Sequence, residues 1–446
     1  FIFGIPLLML EFALGQKMQR GAVGAFHKVS PGFMGVGVAA TLCSFFVACY
    51  YAAVMAWSLI YLFSSFDLSW AQNSADYFYK DVLRVSESPN ELMMIPTPIL
   101  VSFSAIWVMV YFSIWKGVKS VSTVVTVTMP LPIILLLILL VRTTTLPGAI
   151  EGILFFLRPD FGALTDSEVW LAAATQIFFS LTVGVGVMIT YGSFERKTSD
   201  VVKNTAIVAA ADAAIALVSG LVVFTTLGHM AHESGSSVVD IAASGPSLAF
   251  IVFPKALSLI PGAPFFAFFF FLMLLTLGID SLFSLVEGIT QTLLDRWPSV
   301  GKENMSLYVC VFCFFGGLIF TTTAGIYFLD ISDHYVTSYG LVLVSLLEAL
   351  AVGWYHGGER MRAWINSVSD WRVGVWWTYC IKWICPGFLV ALLLTGFMRD
   401  FAVPYENYPD WALIFMGWSV VAFIVIVGII FSAAAIRNSD KSNENV

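Results

Sequence analysis

Five carboxylates stand inside otherwise apolar stretches of the chain: Glu11, Asp212, Asp280, Glu287 and Glu348. An ionisable group at the centre of a hydrocarbon layer costs a few kcal/mol and persists there only when it is paired or used. No Lys or Arg stands at comparable depth except Lys382. The acids therefore call for cations, and hard carboxylate oxygens suit Na⁺ or protons better than soft metals. Cation binding is the stronger reading for Asp212 and Asp280. For Glu11, Glu287 and Glu348 the stronger one is a hydrogen bond to backbone at a helix break. The stretch 169–193 carries a second signal, because Ser180, Thr182, Gly184 and Gly186 cluster at its centre with Val183, Val185 and Val187 between them. Each glycine lowers helix stability by about 1 kcal/mol relative to alanine, and β-branched neighbours lower it further. Local unwinding would expose carbonyls to cations and N–H groups to anions. The same small residues would also let two intact helices approach closely, and the residues alone leave both readings open. In YYAAVMAW (50–57), Tyr50 and Tyr51 are candidate hydroxyl ligands, although a lone tyrosine at depth usually satisfies itself on a neighbouring carbonyl.

A membrane must position these groups. The chain has 446 residues, 59% hydrophobic and 11% charged, with a formal charge of −7 and a mean hydropathy of +0.87. A soluble domain carries about 25% charged residues, whereas the apolar runs here are long enough to cross about 30 Å of hydrocarbon. Eleven such segments are expected, at 1–15, 36–63, 98–115, 121–142, 169–193, 204–228, 264–292, 307–326, 335–355, 374–397 and 411–436. Lipid offers no water to backbone groups, so the segments must be helices and the fold class is all-α, polytopic. Two connectors are longer than a connection needs: 64–97 reads as an outer loop, and 229–263 as a hairpin lid with a GP turn and an apolar piece bounded by Pro254 and Pro261. Alternating the segments puts 15 basic residues on one side, among them Lys17, Arg20, Lys28, Arg360 and Arg362, and six on the other (Lys80, Arg84, Arg142, Arg158, Lys255, Arg399). The richer side is expected to be cytoplasmic, with the C-terminus on it. The chain opens inside an apolar run without Met, basic n-region or cleavage site, so a preceding segment is expected.

Several functions lack their chemistry. No basic patch suits nucleic acid. Cys310 and Cys313 have CxxC spacing with nothing nearby to complete a metal site, and His229, His232 and Glu233 lack the HExxH order. No Ser/His dyad, GxSxG or paired catalytic aspartate marks an enzyme, and no ring of charge marks a channel pore. The sequence leaves oligomeric state open, a homo-oligomer included.

Together, GIPLLMLEFALGQ (4–16), YYAAVMAW (50–57), QIFFSLTVGVG (176–186), LGIDSLFSLVEG (277–288) and LLEALAVGWYHG (346–357) resemble the neurotransmitter:sodium symporter family, in order and over essentially the whole chain. The resemblance implies a 5+5 inverted-repeat transporter fold with two accessory helices, its first helix absent so that eleven of twelve are present. It places an incomplete first repeat at 1–142, a second repeat at 169–356 including the lid, and the accessory helices at 374–437. It implies that Val47, Tyr51, Phe179, Ser180, Thr182, Val185, Ser281 and Leu285 contact substrate, Tyr51 meeting a carboxylate and Phe179 covering it. It implies Na⁺ ligation by Ser180 and Asp212 at one site and by Leu277, Asp280 and Ser281 at another. Asp333 and Asp295 resemble gate acids, with Phe194 where an inner-gate tyrosine is expected, and Glu11 resembles a structural acid capping unwound backbone. The family usually has Asn at the position of Asp212, and Ala216 stands where chloride-dependent members have Ser, so chloride is expected not to be required. No cofactor is expected beyond Na⁺ as coupling ion. The function implied is sodium-coupled uptake of an amino acid or related amine across the plasma (cell inner) membrane, with a non-amino-acid amine or osmolyte as the alternative. An outer loop without the cysteine pair or sequon of animal members points to a prokaryotic amino acid carrier.

Overall fold

The computed structural model describes residues 3–91, 94–241 and 245–444, and every regular element among them is helical. All eleven apolar segments coincide with helices. These are α1 (Gly4–Met18); α2 (Pro31–Ser64), α3 (Thr97–Ile114) and α4 (Ser120–Thr144); α5 (Ser167–Ser180) and α6 (Val187–Phe194), the two halves of one segment; and α7 (Val201–Ser234), α8 (Ala263–Arg296), α9 (Lys302–Thr321), α10 (Gly325–Val368), α11 (Val375–Asn407) and α12 (Asp410–Ser439). Among the described residues nine helices are long and apolar enough to cross a membrane. The other two segments are α1, which is central, and the interrupted α5–α6.

The centre of the bundle is α1 with α2, α6 and α8. Helix α1 is buried on all sides, with Leu7, Leu8, Leu10, Ala13 and Leu14 fully inaccessible, as expected of a helix apolar all round. Small residues let it reach its neighbours: a Cβ on Gly15 would stand 1.9 Å from the Ile189 carbonyl oxygen of α6, and one on Gly278 of α8 would stand 1.7 Å from Met55 Sδ of α2. Between α5 and α6 the helix is lost. Thr182, Gly184 and Gly186 have φ of 56°, 81° and 71°, left-handed backbone that glycine adopts freely and threonine adopts at a cost of about 1–3 kcal/mol. Of the two readings left open by the sequence, unwinding is the one realised.

Three expectations are corrected. Pro254 does not bound the lid's apolar piece, because the helix runs from Gly245 through Ser258 across a wide turn at Leu248–Val252. A proline has no N–H and crowds the carbonyl four residues back; here the preceding Phe253 N–H bonds to Leu248, five residues back. The turn Cys380–Ile384 precedes Pro386 in the same way. The lid's remaining stretch, 242–244, lies outside the described residues. Glu287 meets no helix break: Lys302, at the start of α9, reaches back along α8 and places Nζ 2.7 and 2.6 Å from its two oxygens. Glu348 is buried beside Glu11 and accepts no backbone hydrogen bond among the described residues. The two long connectors form one cap. The indole of Trp70 donates to the Pro254 carbonyl at 2.9 Å, Tyr61 donates to the Phe250 carbonyl at 2.7 Å, and the Phe78 and Phe250 rings stack at 5.3 Å.

The α1–α6 crossing is testable. Gly15→Val is expected to lower the melting temperature of the detergent-solubilised protein, at a cost of roughly 1–3 kcal/mol for forcing side-chain volume against backbone. Gly387→Ala, whose Cβ would meet nothing within 4 Å, is expected to stay within about 0.5 kcal/mol. Equal melting of the two variants would contradict the crossing.

Candidate functional site

Helices α2, α4 and α8 converge on the break between α5 and α6 and enclose a cavity of about 710 Å³, within the roughly 300–1,000 Å³ of small-molecule sites. All eight residues expected to meet substrate line it: Val47 and Tyr51 from α2, Phe179, Ser180, Thr182 and Val185 from the break and its approach, and Ser281 and Leu285 from α8. Helix α4 supplies a wall that the sequence did not flag, with Val121, Ser122, Val125 and Met129. Those residues read only as an apolar span, and nothing in their types marks one face as a lining.

The break is held by side chains from helices on either side of it. Glu11 of α1 accepts from the Gly184 N–H at 2.7 Å, and Ser44 of α2 donates to the Val185 carbonyl at 2.7 Å. Within the break, the Val183 N–H still reaches the Phe178 carbonyl at 3.1 Å, five residues back. Together these satisfy groups that an intact helix would have paired internally, and lipid offers them nothing else.

The ionisable groups separate by place. Asp280 lines the cavity at 8% exposure, with no described group within 3.5 Å in hydrogen-bond geometry of either carboxylate oxygen and the Thr128 hydroxyl of α4 close enough to interact. A buried carboxylate in that condition fits a hard cation, and the hydroxyls of Ser281 and Ser180 also line the cavity. Asp212 of α7 does not line the cavity; it joins it through Ser180, whose hydroxyl donates to Asp212 Oδ1. Leu277 also lies off the cavity wall, and its carbonyl already accepts from Ser281 Oγ at 3.3 Å. One turn along α8, Ser284 donates to the Asp280 carbonyl at 2.8 Å and meets the Tyr191 hydroxyl of α6 at 2.8 Å.

The two candidate gate acids sit apart from the cavity. Asp333 of α10 accepts from the Tyr50 hydroxyl at 2.7 Å. Adjacent residues on a helix diverge by about 100°, so Tyr51 faces the cavity while Tyr50, which the sequence left undecided, faces α10. At the other end of α8, Asp295 accepts from the Gly21 N–H at 2.7 Å and from Gln291 at 3.1 Å, with Arg20 3.5 Å away. Phe194 lies edge-on to Tyr191 with ring centroids 6.3 Å apart.

An interrupted helix opening into an oxygen-bearing cavity is the arrangement membrane transporters use for substrate and ion. The profile of the sodium:neurotransmitter symporter family matches residues 1–75 and 69–438. The chain is 34% identical to an uncharacterized sodium-dependent transporter of Methanocaldococcus jannaschii, over 95% of this chain and 87% of that protein. It is 36% identical to the creatine transporter of Torpedo marmorata (93% and 74%). It is 33% identical to the sodium- and chloride-dependent GABA transporter 2 of Rattus norvegicus (94% and 76%). The chain belongs to the sodium:neurotransmitter symporter family.

The contact between Glu11 and the break yields a stability prediction. Glu11→Leu leaves the Gly184 N–H buried without an acceptor, a loss of about 1–3 kcal/mol, and is expected to lower the thermal midpoint. Glu11→Gln keeps an oxygen in place and is expected to recover most of it. If the Leu and Gln variants melt together, Glu11 does not hold the break.

Proposed function

We propose that this protein is a sodium-coupled symporter that takes up an amino acid or a related zwitterionic amine by alternating access. The reading rests on one observation above the others: the buried carboxylate of Asp280 opens into the cavity that also collects Tyr51, Phe179 and Ser180. In this reading the Tyr51 hydroxyl donates to the substrate carboxylate, Phe179 covers it, and Val47, Thr182, Val185 and Leu285 receive its apolar part. Na⁺ takes oxygens of Asp280 and Ser281 with the Leu277 carbonyl, and a second Na⁺ takes Ser180 and Asp212. Their charges offset the acids only when both ions are bound, so the sodium gradient drives the loaded form inward. Asp333 and Asp295 gate the two ends, and residues 1–142 and 169–356 act as the two repeats. The ends near Lys17, Arg20, Arg360 and the C-terminus face the cytoplasm, in the plasma membrane of the cell. Asp212 supplies beside the sodium the negative charge that chloride provides in chloride-dependent members.

The names of the creatine and GABA transporters support a second substrate class. Both compounds carry a carboxylate and a cationic nitrogen group, and in GABA that group is remote from the carboxylate, so a non-α-amine or osmolyte would use the same Tyr51 contact.

Uptake or binding of amino acids, creatine and GABA by the full-length protein in proteoliposomes tests both readings. Saturable uptake that disappears when K⁺ replaces Na⁺ is expected. Asp280→Ala removes a charged ligand worth about 2–5 kcal/mol and is expected to raise the half-saturating Na⁺ concentration roughly 30-fold or more. Replacing chloride by gluconate is expected to leave uptake unchanged; stimulation by chloride would sink the role given to Asp212. Uptake insensitive to Na⁺ would sink the symporter reading itself.

A further inference from the structure

At the end of the bundle away from the cap, Lys17 and His356 meet, and Arg360 follows His356 by four residues. Lys17 Nζ, at the end of α1, lies 3.0 Å from His356 Nε2 and 5.8 Å from the centroid of the Trp364 ring. A lysine can only donate, so Nε2 accepts, and the imidazole is neutral with its proton on Nδ1. Arg360 is near enough to oppose charge on both Lys17 and His356. It is the third residue of Gly358–Val368, the part of α10 beyond a break at Gly357 (φ 94°), whose first N–H, of Gly358, bonds to the Gly353 carbonyl and whose first turn has no side-chain cap. The acid in that turn, Glu359, is engaged by Arg362 at 2.6 Å. Among the described residues no carboxylate forms a salt bridge with Lys17, His356 or Arg360. Like charges gathered at a helix N-terminus without a counter-ion destabilise the fold unless an anion joins them.

The surroundings specify which anion. The triad lies where the apolar part of α10 ends, and Tyr355, 60% exposed, sits beside it with its ring edge-on to Phe33 at 5.1 Å. Trp354 and Trp383, 50% and 59% exposed, pack edge to face at 4.6 Å. Exposed Trp and Tyr at the end of an apolar span mark the level of lipid headgroups, the depth at which clustered Lys and Arg meet anionic lipid. We infer that Lys17, His356 and Arg360, with the N-terminus of the helix Gly358–Val368, form a phosphate-binding site occupied by the headgroup of an anionic phospholipid. The inference rests on the orientation proposed above for naming the leaflet as cytoplasmic, but not on the transport reading. The phosphate accepts from Lys17, from His356 Nδ1–H and from the Arg360 guanidinium, and it ties the end of α1 to the break in α10 at Gly357.

Native mass spectrometry of the full-length protein in detergent tests this without requiring sodium, substrate or a known orientation. Phosphatidylglycerol is titrated against phosphatidylcholine of the same acyl chains. The wild type is expected to retain one phosphatidylglycerol selectively. Lys17→Gln with Arg360→Gln is expected to weaken that binding by about 5-fold for each charge removed. Lys17→Arg with Arg360→Lys, which keeps both charges, is expected to preserve it and to show that a misfolded variant is not the cause. Lys80→Gln with Arg84→Gln, at the other end of the bundle, is expected to change nothing. Undiminished selectivity in the double Gln variant would overturn the site. Binding of inorganic phosphate that the same variant loses, with no preference for phosphatidylglycerol over phosphatidylcholine, would make this a free-anion site and overturn the lipid assignment. A protein that fails to bind Na⁺ and amines yet shows the lipid selectivity would sink only the symporter reading.

Discussion

Backbone that leaves a helix inside a membrane must find every one of its hydrogen bonds in the protein, and the rest of this structure follows from how the break between α5 and α6 meets that demand. The Glu11 carboxylate is the acceptor for Gly184 and the Ser44 hydroxyl is the donor for Val185. An aliphatic residue at either position would leave a polar backbone group facing hydrocarbon, at a cost comparable to a large share of a domain's net stability. The acid in α1 and the broken helix are therefore one feature. The position of α1 is fixed in turn by contact: its Gly15 lets it lie directly on α6.

Once the break is held, the cavity follows. The left-handed residues at 182, 184 and 186 turn the chain out of the α5 axis, and α2 and α8, crossing closely at Met55 and Gly278, present Tyr51 and Asp280 to the space this leaves. The apolar lining keeps the dielectric low, which strengthens each electrostatic interaction inside it. Asp280, with no hydrogen-bond partner among the described residues, and Asp212, engaged by Ser180, then differ in kind. Asp280 itself lines the cavity, while Asp212 reaches it through the Ser180 hydroxyl.

What the sequence made legible follows from which signals are local. Spans were readable because lipid forces a long apolar run into a helix, and ten of the eleven segments have a helix at their core, the exception being the broken 169–193. The break was visible as a tension between glycine and β-branched residues, and only neighbours far along the chain decided it: Glu11, Ser44 and Ser345, whose hydroxyl would stand 2.5 Å from a Cβ on Gly184. The residues placed around the cavity came from motifs read together. The α4 wall escaped because Val121, Val125 and Met129 are indistinguishable by type from lipid-facing neighbours. Lys302 was missed as the partner of Glu287 because the two lie on successive helices, and the lysine reaches back further than its place in a loop suggests. Pro254 misled for the opposite reason: proline ends an ideal α-helix, but a single wide turn before it lets the helix continue.

The arrangement of acids along α8 and α10 bears on how one cavity could open to two sides in turn. Helix α8 carries Asp280 at the cavity and Asp295 about four turns further along, where it is tied to Gly21 and Arg20 just beyond α1. Helix α2 carries Tyr51 at the cavity and, on its next face, Tyr50 tied to Asp333 of α10. The two candidate gate acids are each held through one or two hydrogen bonds, whereas the cavity between them is bounded by extensively buried helix. A few hydrogen bonds are fewer contacts to exchange than a packed helix interface. In the proposed cycle the ends are therefore the parts free to open, and α2 and α8, which run from the cavity toward both closures, are the rigid elements that carry occupancy at the centre to either end.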